Sequence, residues 1–253
     1  MTGVGEWVTY YADIDGVLTE MRVDMRAGNE LRELGAPNLL RVQYELRAPD
    51  GDGLPSGEDE AVIDRLRHEL RDWVGALGGR LAGEASGGGQ HSWFFYVPCG
   101  WLEAANLIHR IGLRNNVALG VEMAADATCR FYHEQLLPSA EELRRAQIAT
   151  HLTELADMGD VADVPRPVSH EARFDNRVQA LAAADWARRQ GFVVDGLLPP
   201  AGARQDYSLT FHRQMPLHAA RLEQDVALVA DMTARLGGRY AGWRTQPCLA
   251  QSA

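Results

Sequence analysis

The sequence contains no lysine, because all 25 of its basic residues are arginine. A phosphate-binding P-loop places a lysine ammonium at the β- and γ-phosphates, and Schiff-base and pyridoxal-phosphate enzymes react through a lysine amine. The absence of lysine therefore excludes these classes of nucleotide-binding protein and enzyme.

Cysteine is scarce. Cys99, Cys129 and Cys248 are far apart, odd in number and outside any CxxC spacing. Neither a disulfide framework nor a zinc cluster is indicated, since both need cysteines in paired, regular positions. We expect reduced and mostly buried thiols.

Long apolar runs are also lacking. No stretch approaches the roughly 20 apolar residues of a membrane span, and residues 1–16 have neither a basic start nor an apolar signal core. We expect a cytoplasmic protein with no membrane partner.

Positive charge is in deficit, with a net charge of −10. Residues 1–138 carry 12 arginines against 21 acidic residues, a net of −9, while residues 139–253 carry 13 against 14, a net of −1. Nucleic-acid binding depends on clustered cations that release counterions. The sequence therefore disfavours direct binding of RNA or DNA and favours a protein partner.

Recognisable catalytic motifs are missing, including HExxH, G-x-S-x-G, G-x-G-x-x-G and a histidine pair at i, i+4. His212 and His218 flank a predicted turn, and Asp157, Asp160 and Asp163 recur at intervals of three. Neither spacing is diagnostic of a metal site, and a solvated helix end is the favoured interpretation of the aspartates. We expect no catalysis, no cofactor and no metal.

Alternation of apolar and polar residues predicts the strands of the first half. In residues 39–47, Leu40, Val42, Tyr44 and Leu46 alternate with polar neighbours, as in a half-buried strand. Four such strands with two helices between them give the order βαββαβ over residues 38–124. An extra strand or hairpin is predicted at residues 6–25.

Two amphipathic helices separate these strands. Ser56 is the predicted N-cap of the first, which Gly78 and Gly79 end. The second covers residues 101–112 and is predicted to stop at Gly112. The predicted apolar stripe of the first helix is Ile63, Leu66, Leu70, Trp73 and Leu77.

The second half repeats βαββαβ behind one extra helix. Pro138 marks a boundary, and Ser139 and Glu142 have capping-box spacing, which predicts that the extra helix begins there. The apolar stripe predicted for the next helix is Val178, Leu181, Ala182 and Trp186. That of the last helix is Leu222, Val226, Val229 and Leu236.

This element order predicts an α+β protein of two tandem ferredoxin-like domains, each an antiparallel sheet covered by two helices. The predicted domains are residues 1–138, with the extra hairpin, and residues 139–253, with the leading helix. The word LGGR occurs at residues 77–80 and again at 236–239. The first copy leads into the second strand of its domain and the second copy into the fourth, so the repeat indicates helix-stop chemistry and not a duplicated site.

Two residues of the second half admit two interpretations each. Alternation places His170 on the apolar face of its strand, where a hydrogen-bonded core histidine is favoured over a ligand. Trp243 is either a core anchor, which is favoured, or an exposed hot spot for a partner.

Residues 139–248 resemble the ribonuclease E inhibitor RraB family. The resemblance rests on PRPVSH at 165–170 and on YAGW at 240–243, where the family commonly has an aspartate at the position of Ala241. It implies a small ferredoxin-like domain that binds an endoribonuclease and modulates it without catalysis. We accordingly select Arg166, His170 and Trp243 as candidate partner-binding residues.

Residues 1–138, with DGLP, WFFYV and FYHEQLLP, are similar to a bacterial domain family of unknown function that also occurs beside RraB-like domains. This resemblance implies no chemistry. The alternative hypothesis is an enzyme, or a protein that binds a small ligand or metal, with a site between the two domains, near His109, Asp126 and His133, or in the acidic first domain.

Overall fold

A computed structural model describes residues 6–249 of the chain. The chain divides into two compact units, residues 1–146 and 147–253. Each unit combines an antiparallel sheet with helices, and each is described by itself.

Within the described residues, the first unit holds six strands, three α-helices and a short π-helix, and a fourth α-helix begins in it. They are β1 (Trp7–Ile14), β2 (Val17–Asp24), α1 (Ala27–Leu34), β3 (Asn38–Glu45), α2 (Gly57–Ala76), β4 (Arg80–Gly87), β5 (Gln90–Val97), α3 (Trp101–Asn115), β6 (Leu119–Ala125), the π-helix (Tyr132–Leu136) and α4 (Ala140–Asp157).

The strands of the first unit form one sheet in the order β1-β2-β4-β5-β3-β6, and all neighbours are antiparallel. Strands β4, β5, β3 and β6 with helices α2 and α3 make the ferredoxin-like arrangement. The β1–β2 hairpin extends it by pairing with β4. The fold and the extra hairpin predicted from the sequence are confirmed.

Both faces of this sheet carry apolar clusters. Helices α2 and α3 cover one face, where Trp93 and Phe95 are fully buried. Helix α1 and the π-helix cover part of the other face, with Leu31, Tyr132 and Leu136 buried there. The prediction that two helices cover each sheet is thus incomplete for this unit. The pattern missed α1 because it has only eight residues and buries one large side chain, Leu31.

Two details of the predicted helices are wrong. Trp73 is 39% exposed, and Val74 takes the buried position in α2. Helix α3 does not stop at Gly112 but continues to Asn115, after which Asn116 adopts a left-handed conformation. Gly112 is instead a close-contact position, since a Cβ there would lie 2.8 Å from the Val117 carbonyl oxygen.

After α4, the second unit contains four strands and two helices among the described residues. They are β7 (Arg166–Phe174), α5 (Arg177–Arg189), β8 (Val193–Leu198), β9 (Tyr207–Met215), α6 (Ala219–Arg235) and β10 (Arg239–Arg244). The sheet order β10-β7-β9-β8, antiparallel throughout, is again ferredoxin-like, which confirms the second predicted domain fold.

Helix α5 presents a different face from the predicted one. Val178 and Leu181 are 77% and 45% exposed. The buried positions are small: Ala180, Ala183, Ala184 and Ala187. These alanines let the helix approach the large rings of Phe192 and Phe211 in the same cluster, so size complementarity outweighs the hydrophobicity of the larger residues.

The predicted capping box is confirmed at the start of α4. The Ser139 N–H donates to Glu142 Oε2 at 2.7 Å, and the Glu142 N–H donates to Ser139 Oγ at 3.2 Å. Ser56 does occupy the N-cap position of α2, but its hydroxyl donates to the Ala48 carbonyl at 2.5 Å and does not cap the helix.

The two LGGR words fold alike. In each, the first glycine is left-handed, with φ +75° at Gly78 and +70° at Gly237. In each, the second glycine donates its N–H to the helix carbonyl five residues earlier at 2.9 Å, which is the Schellman end of a helix. They precede β4 and β10 respectively, so the repeat is one helix-ending device used at two non-equivalent places.

Candidate functional site

The sheet of the second unit has one face that its helices do not cover. On β7, Val168, His170 and Ala172 are buried, while Ser169 and Glu171 point to the opposite face and are partly exposed. We call this opposite side the open face. It is a polar surface displayed on four hydrogen-bonded strands, with its neighbours fixed by the strand register.

Short polar contacts organise the open face. Glu171 accepts hydrogen bonds from Arg173 Nε and from Ser208 Oγ, both at 2.9 Å. Burial raises the pKa of Glu171, but the contacts with Arg173 and Ser208 outweigh it, so the pKa lies below its ordinary value. His212 Nδ1 lies 2.7 Å from Asp195 Oδ1.

The edge of the open face is apolar. Strand β8 pairs only with β9 among the described strands, and its Val193 and Leu198 are both 58% exposed. Val193 stands opposite His212 in the register. A polar centre beside exposed aliphatic side chains is a surface that a protein partner can cover.

Arg166, a candidate from the sequence, lies in the interior. It is 3% exposed and forms an ion pair with the equally buried Asp160. Its guanidinium also donates to the backbone carbonyls of Val161 and Val164. Arg166 therefore fixes the loop before β7.

Asp160 connects this loop to the C-terminal segment, because it also accepts from the Cys248 N–H at 2.6 Å. Burial raises its pKa, but Arg166 and the Cys248 N–H outweigh burial, and the pKa is lowered. Asp163 pairs with His218 at 2.8 Å. His212 pairs instead with Asp195, and residues 6–249 contain no group of three or more His, Cys, Asp or Glu side chains suited to hold a metal ion.

His170 is 1% exposed, and its Nδ1 shares a hydrogen bond of 2.9 Å with the Tyr240 hydroxyl. The ring packs against Phe192 and Phe211, with centroid distances of 5.6 and 5.8 Å. Burial, and secondarily the nearby Arg213 charge, lower the pKa of His170 to about 4. The side chain is therefore neutral at physiological pH.

Trp243 is half-buried and packs on the same side as His170, its register partner across β7 and β10. Its ring lies 4.7 Å from the His151 ring of α4. A bulge between Tyr240 and Gly242 turns Trp243 to this side. The structure thus brings His170 and Trp243 together behind the open face, whereas Arg166 lies at the beginning of β7. Their role in binding a partner stays a prediction.

A buried ion pair near His170 was missed by sequence reasoning. Arg213 Nε lies 3.1 Å from Asp225 Oδ2, and the guanidinium stands 3.8 Å from the Phe192 ring centroid. Burial raises the pKa of Asp225 and lowers that of Arg213. The sequence does contain a signal for this pair, because Arg213 interrupts the apolar face of β9 and Asp225 interrupts the apolar face of α6.

The first unit contains a polar groove between α2 and the β1–β2 hairpin. Glu84, 2% exposed, forms its centre. Arg67 Nε lies 2.8 Å from both carboxylate oxygens, and Arg22 Nη1 lies 3.2 Å from one of them. Burial raises the pKa of Glu84, but contacts with His91 and Arg67 lower it below its ordinary value.

Two further side chains extend this network. Ser86 Oγ lies 2.7 Å from His91 Nδ1, and His91 Nε2 lies 3.4 Å from Glu84 Oε2. Burial lowers the pKa of His91 in spite of Glu84. Arg67 and Arg22 already neutralise the charge of Glu84. We therefore interpret the network as a buried ion-pair cluster that does not activate a nucleophile.

The residues of the alternative ligand-site hypothesis have separate surroundings. Asp126 accepts from the Tyr96 hydroxyl at 2.6 Å and from the Phe131 N–H at 2.9 Å. His133 makes an edge contact with the Tyr132 ring at 5.1 Å. His109 lines a separate cavity beside Leu119.

Across residues 6–249, none of the helices has the length and apolar character needed to cross a lipid bilayer.

Fold and surfaces together define a protein of two tandem ferredoxin-like units. Residues 5–137 match the model of a family described as "Family of unknown function (DUF695)". Since this match spans more than half of the chain, the protein belongs to that family. Residues 145–245 match the model described as "Regulator of ribonuclease activity B". Both resemblances seen in the sequence are confirmed.

Two solved structures to which the chain is similar have low sequence identity and low TM-scores. An unknown protein from Galdieria sulphuraria is 10% identical, with 83% of this chain and 98% of that chain covered and a TM-score of 0.23. A putative glycine cleavage system transcriptional repressor is 6% identical, with coverages of 84% and 98% and a TM-score of 0.25. At these scores neither carries an argument. No curated protein matches the chain.

Proposed function

We propose that this protein regulates an endoribonuclease by binding it in the cytoplasm, without itself catalysing a reaction, and so modulates RNA decay. The observation that carries the proposal is the match of residues 145–245 to a family of ribonuclease regulators. The match includes all of β7 to β10 with α5 and α6, so the similarity extends over a whole folded unit.

We further propose the open face as the contact surface. Its polar centre at Glu171 and His212 and its apolar edge at Val193 and Leu198 are accessible. The arginines of this face stand among acidic groups, since Arg173 pairs with Glu171, Arg239 pairs with Asp206 and the charge of Arg244 also acts on Glu171. This balance of charge favours a protein over a polyanion as the partner. Arg166, His170 and Trp243 would contribute indirectly, by holding β7 and β10 in position from the opposite side of the sheet.

The test uses the full chain and the endoribonucleases of the same organism, each purified. Surface plasmon resonance measures binding, and cleavage of a fluorescent single-stranded RNA measures activity with and without the protein. We expect one enzyme to bind and its cleavage rate to change.

One variant tests the proposed contact surface, and a second variant is its control. Thr210→Arg places a bulky charge at the centre of the open face, opposite Glu171, and should weaken binding about tenfold or more, about 1.4 kcal/mol. Arg188→Gln removes an exposed charge of α5 and should leave binding unchanged. Absence of binding to every enzyme, with cleavage unaltered, would contradict the proposal.

A further inference from the structure

A cavity of about 590 Å³ lies against the first unit's sheet, on the face turned away from α2 and α3. Helix α1 and the π-helix cover only part of that face, and the cavity lies on the part that they leave open. Its volume falls within the range of about 300–1,000 Å³ that small-molecule sites occupy.

Apolar side chains form most of the cavity. Met21, Leu39 and Phe94 are at most 9% exposed and form its floor. Phe131 stands at its side, with its ring centroid 5.0 Å from that of Phe94. Ile14, at the end of β1, contributes a further apolar group. Such a lining favours a ligand with an aromatic or branched aliphatic part.

One cation and one anion supply the charge of this lining. Arg41 of β3 and Glu122 of β6 are register partners, and they are the charged side chains among the described residues of the cavity. Arg41 Nε donates to Ser92 Oγ at 3.2 Å, and Ser92 is 3% exposed. The guanidinium is therefore held in place from the cavity floor.

The contact between Arg41 and Glu122 is loose. Arg41 Nη1 lies 3.5 Å from Glu122 Oε2, and the side chains are 37% and 62% exposed. Strong charge-assisted hydrogen bonds are about 2.7–2.9 Å long. A guanidinium has five N–H donors and a carboxylate about four acceptor positions, so both groups keep capacity for a ligand.

These charges select among ligands. An anion that pairs with Arg41 would be repelled by the nearby Glu122 carboxylate. A cation that pairs with Glu122 would be repelled by the nearby Arg41 guanidinium. A zwitterion avoids both repulsions. We propose that the cavity binds a free α-amino acid with a large apolar side chain, whose carboxylate pairs with Arg41, whose ammonium group pairs with Glu122, and whose side chain lies against Phe94.

This site belongs to the first unit and does not rest on the proposed regulation of a ribonuclease. The two proposals succeed or fail separately, because amino-acid binding is measured on the isolated full chain.

The experiment is isothermal titration of the full chain, supported by ligand-observed NMR, with L-phenylalanine, L-leucine and L-methionine. We expect at least one to bind. The matched probes are 3-phenylpropionate, which lacks the ammonium group, and 2-phenylethylamine, which lacks the carboxylate. Each should bind at least about tenfold more weakly than L-phenylalanine. L-alanine should also bind more weakly, because it lacks the large apolar side chain.

Two variants test the charges. Arg41→Gln and Glu122→Gln should each weaken amino-acid binding about tenfold or more, a loss of about 1.4 kcal/mol. Arg188→Gln, which breaks an exposed ion pair with Asp185 at 2.8 Å in the second unit, is the matched control and should not change it. Thermal unfolding verifies that each variant is folded. If Arg41→Gln does not fold, Glu122→Gln still tests the proposal, because Glu122 is largely exposed.

Three results would each overturn the proposal. The first is no binding of any apolar amino acid at millimolar concentration by either method. The second is 3-phenylpropionate binding as tightly as L-phenylalanine. The third is unchanged affinity in a folded Glu122→Gln variant.

Discussion

The imidazole of His170 and the hydroxyl of Tyr240 share a 2.9 Å hydrogen bond inside the second unit, across the pair of strands β7 and β10. Nδ1 of the ring has this partner, whereas Nε2 has none among the described residues. Two aromatic rings and the Arg213 charge surround it. Burial and the Arg213 charge therefore stabilise the neutral ring over the charged one.

This arrangement makes stability depend on pH. The pKa of His170 is about 4 in the folded protein against 6.5 for an ordinary histidine. Between these values the unfolded chain binds more protons, so the contribution is fully present above pH 6.5 and is lost as the pH falls through 4. We expect a loss of up to about 3 kcal/mol.

Urea unfolding of wild type and His170→Gln at pH 7 and pH 4 measures the effect. The difference in unfolding free energy between the two proteins should shrink by about 3 kcal/mol at the lower pH. If both proteins lose stability in parallel, the pH dependence comes from other groups.

The ion pair of Arg166 and Asp160 is buried, with both side chains at most 4% exposed. Removing one partner of a buried pair costs about 3–5 kcal/mol, because the other charge is left without compensation. Asp160→Asn should therefore lower the free energy of unfolding by about that amount. Asp185→Asn, at an exposed pair, is the control and should cost about 1 kcal/mol or less. Equal costs for the two variants would refute the assignment.

The glycines of the LGGR words give a graded prediction. A Cβ on Gly79 would lie 2.5 Å from Val74 Cγ1 and 2.8 Å from Val97 Cγ1, and one on Gly238 would overlap the Phe174 ring. Gly79→Ala and Gly238→Ala should each destabilise by about 1–3 kcal/mol. Gly75→Ala, in open space within α2, should stabilise by about 0.5–1 kcal/mol. Differential scanning calorimetry ranks the three, and a stabilised Gly79→Ala variant would be inconsistent with the crowding.

The capping box of α4 predicts a smaller effect. Ser139→Ala removes the acceptor for the Glu142 N–H and should cost about 1 kcal/mol. Ser139→Asp keeps an acceptor at the same place and should cost less. The midpoint of chemical denaturation compares them, and an equal shift for both variants would show that the cap does not stabilise the helix.

Much of the fold follows from patterns that are local along the chain. Alternation located the strands of both sheets, and glycine and capping signals located most helix ends. The misplaced face of α5 has a physical reason, since Val178 and Leu181 are more hydrophobic than the alanines that the sheet accepts. Helix α1 and the π-helix are too short to give a periodic signal.

The candidate sites were less accessible to sequence reasoning. Arg166, His170 and Trp243 were selected by resemblance, but their burial, and the partners Asp160 and Tyr240, depend on contacts distant in sequence. Arg41 and Glu122 are 81 residues apart and meet only because β6 pairs with β3. No local pattern marks either one as part of a cavity.

By itself, the sequence determined the two βαββαβ orders, the helix-ending glycines and the absence of lysine-dependent chemistry, because each depends on residue type and near neighbours. Whether Trp243 faces the core was decided by the tertiary structure alone. Tyr240 and Trp243 are separated by an odd number of positions, and only the bulge at Gly242 in the pairing with β7 brings both to the same side of the sheet. Strand register, which alternation cannot supply, made that choice.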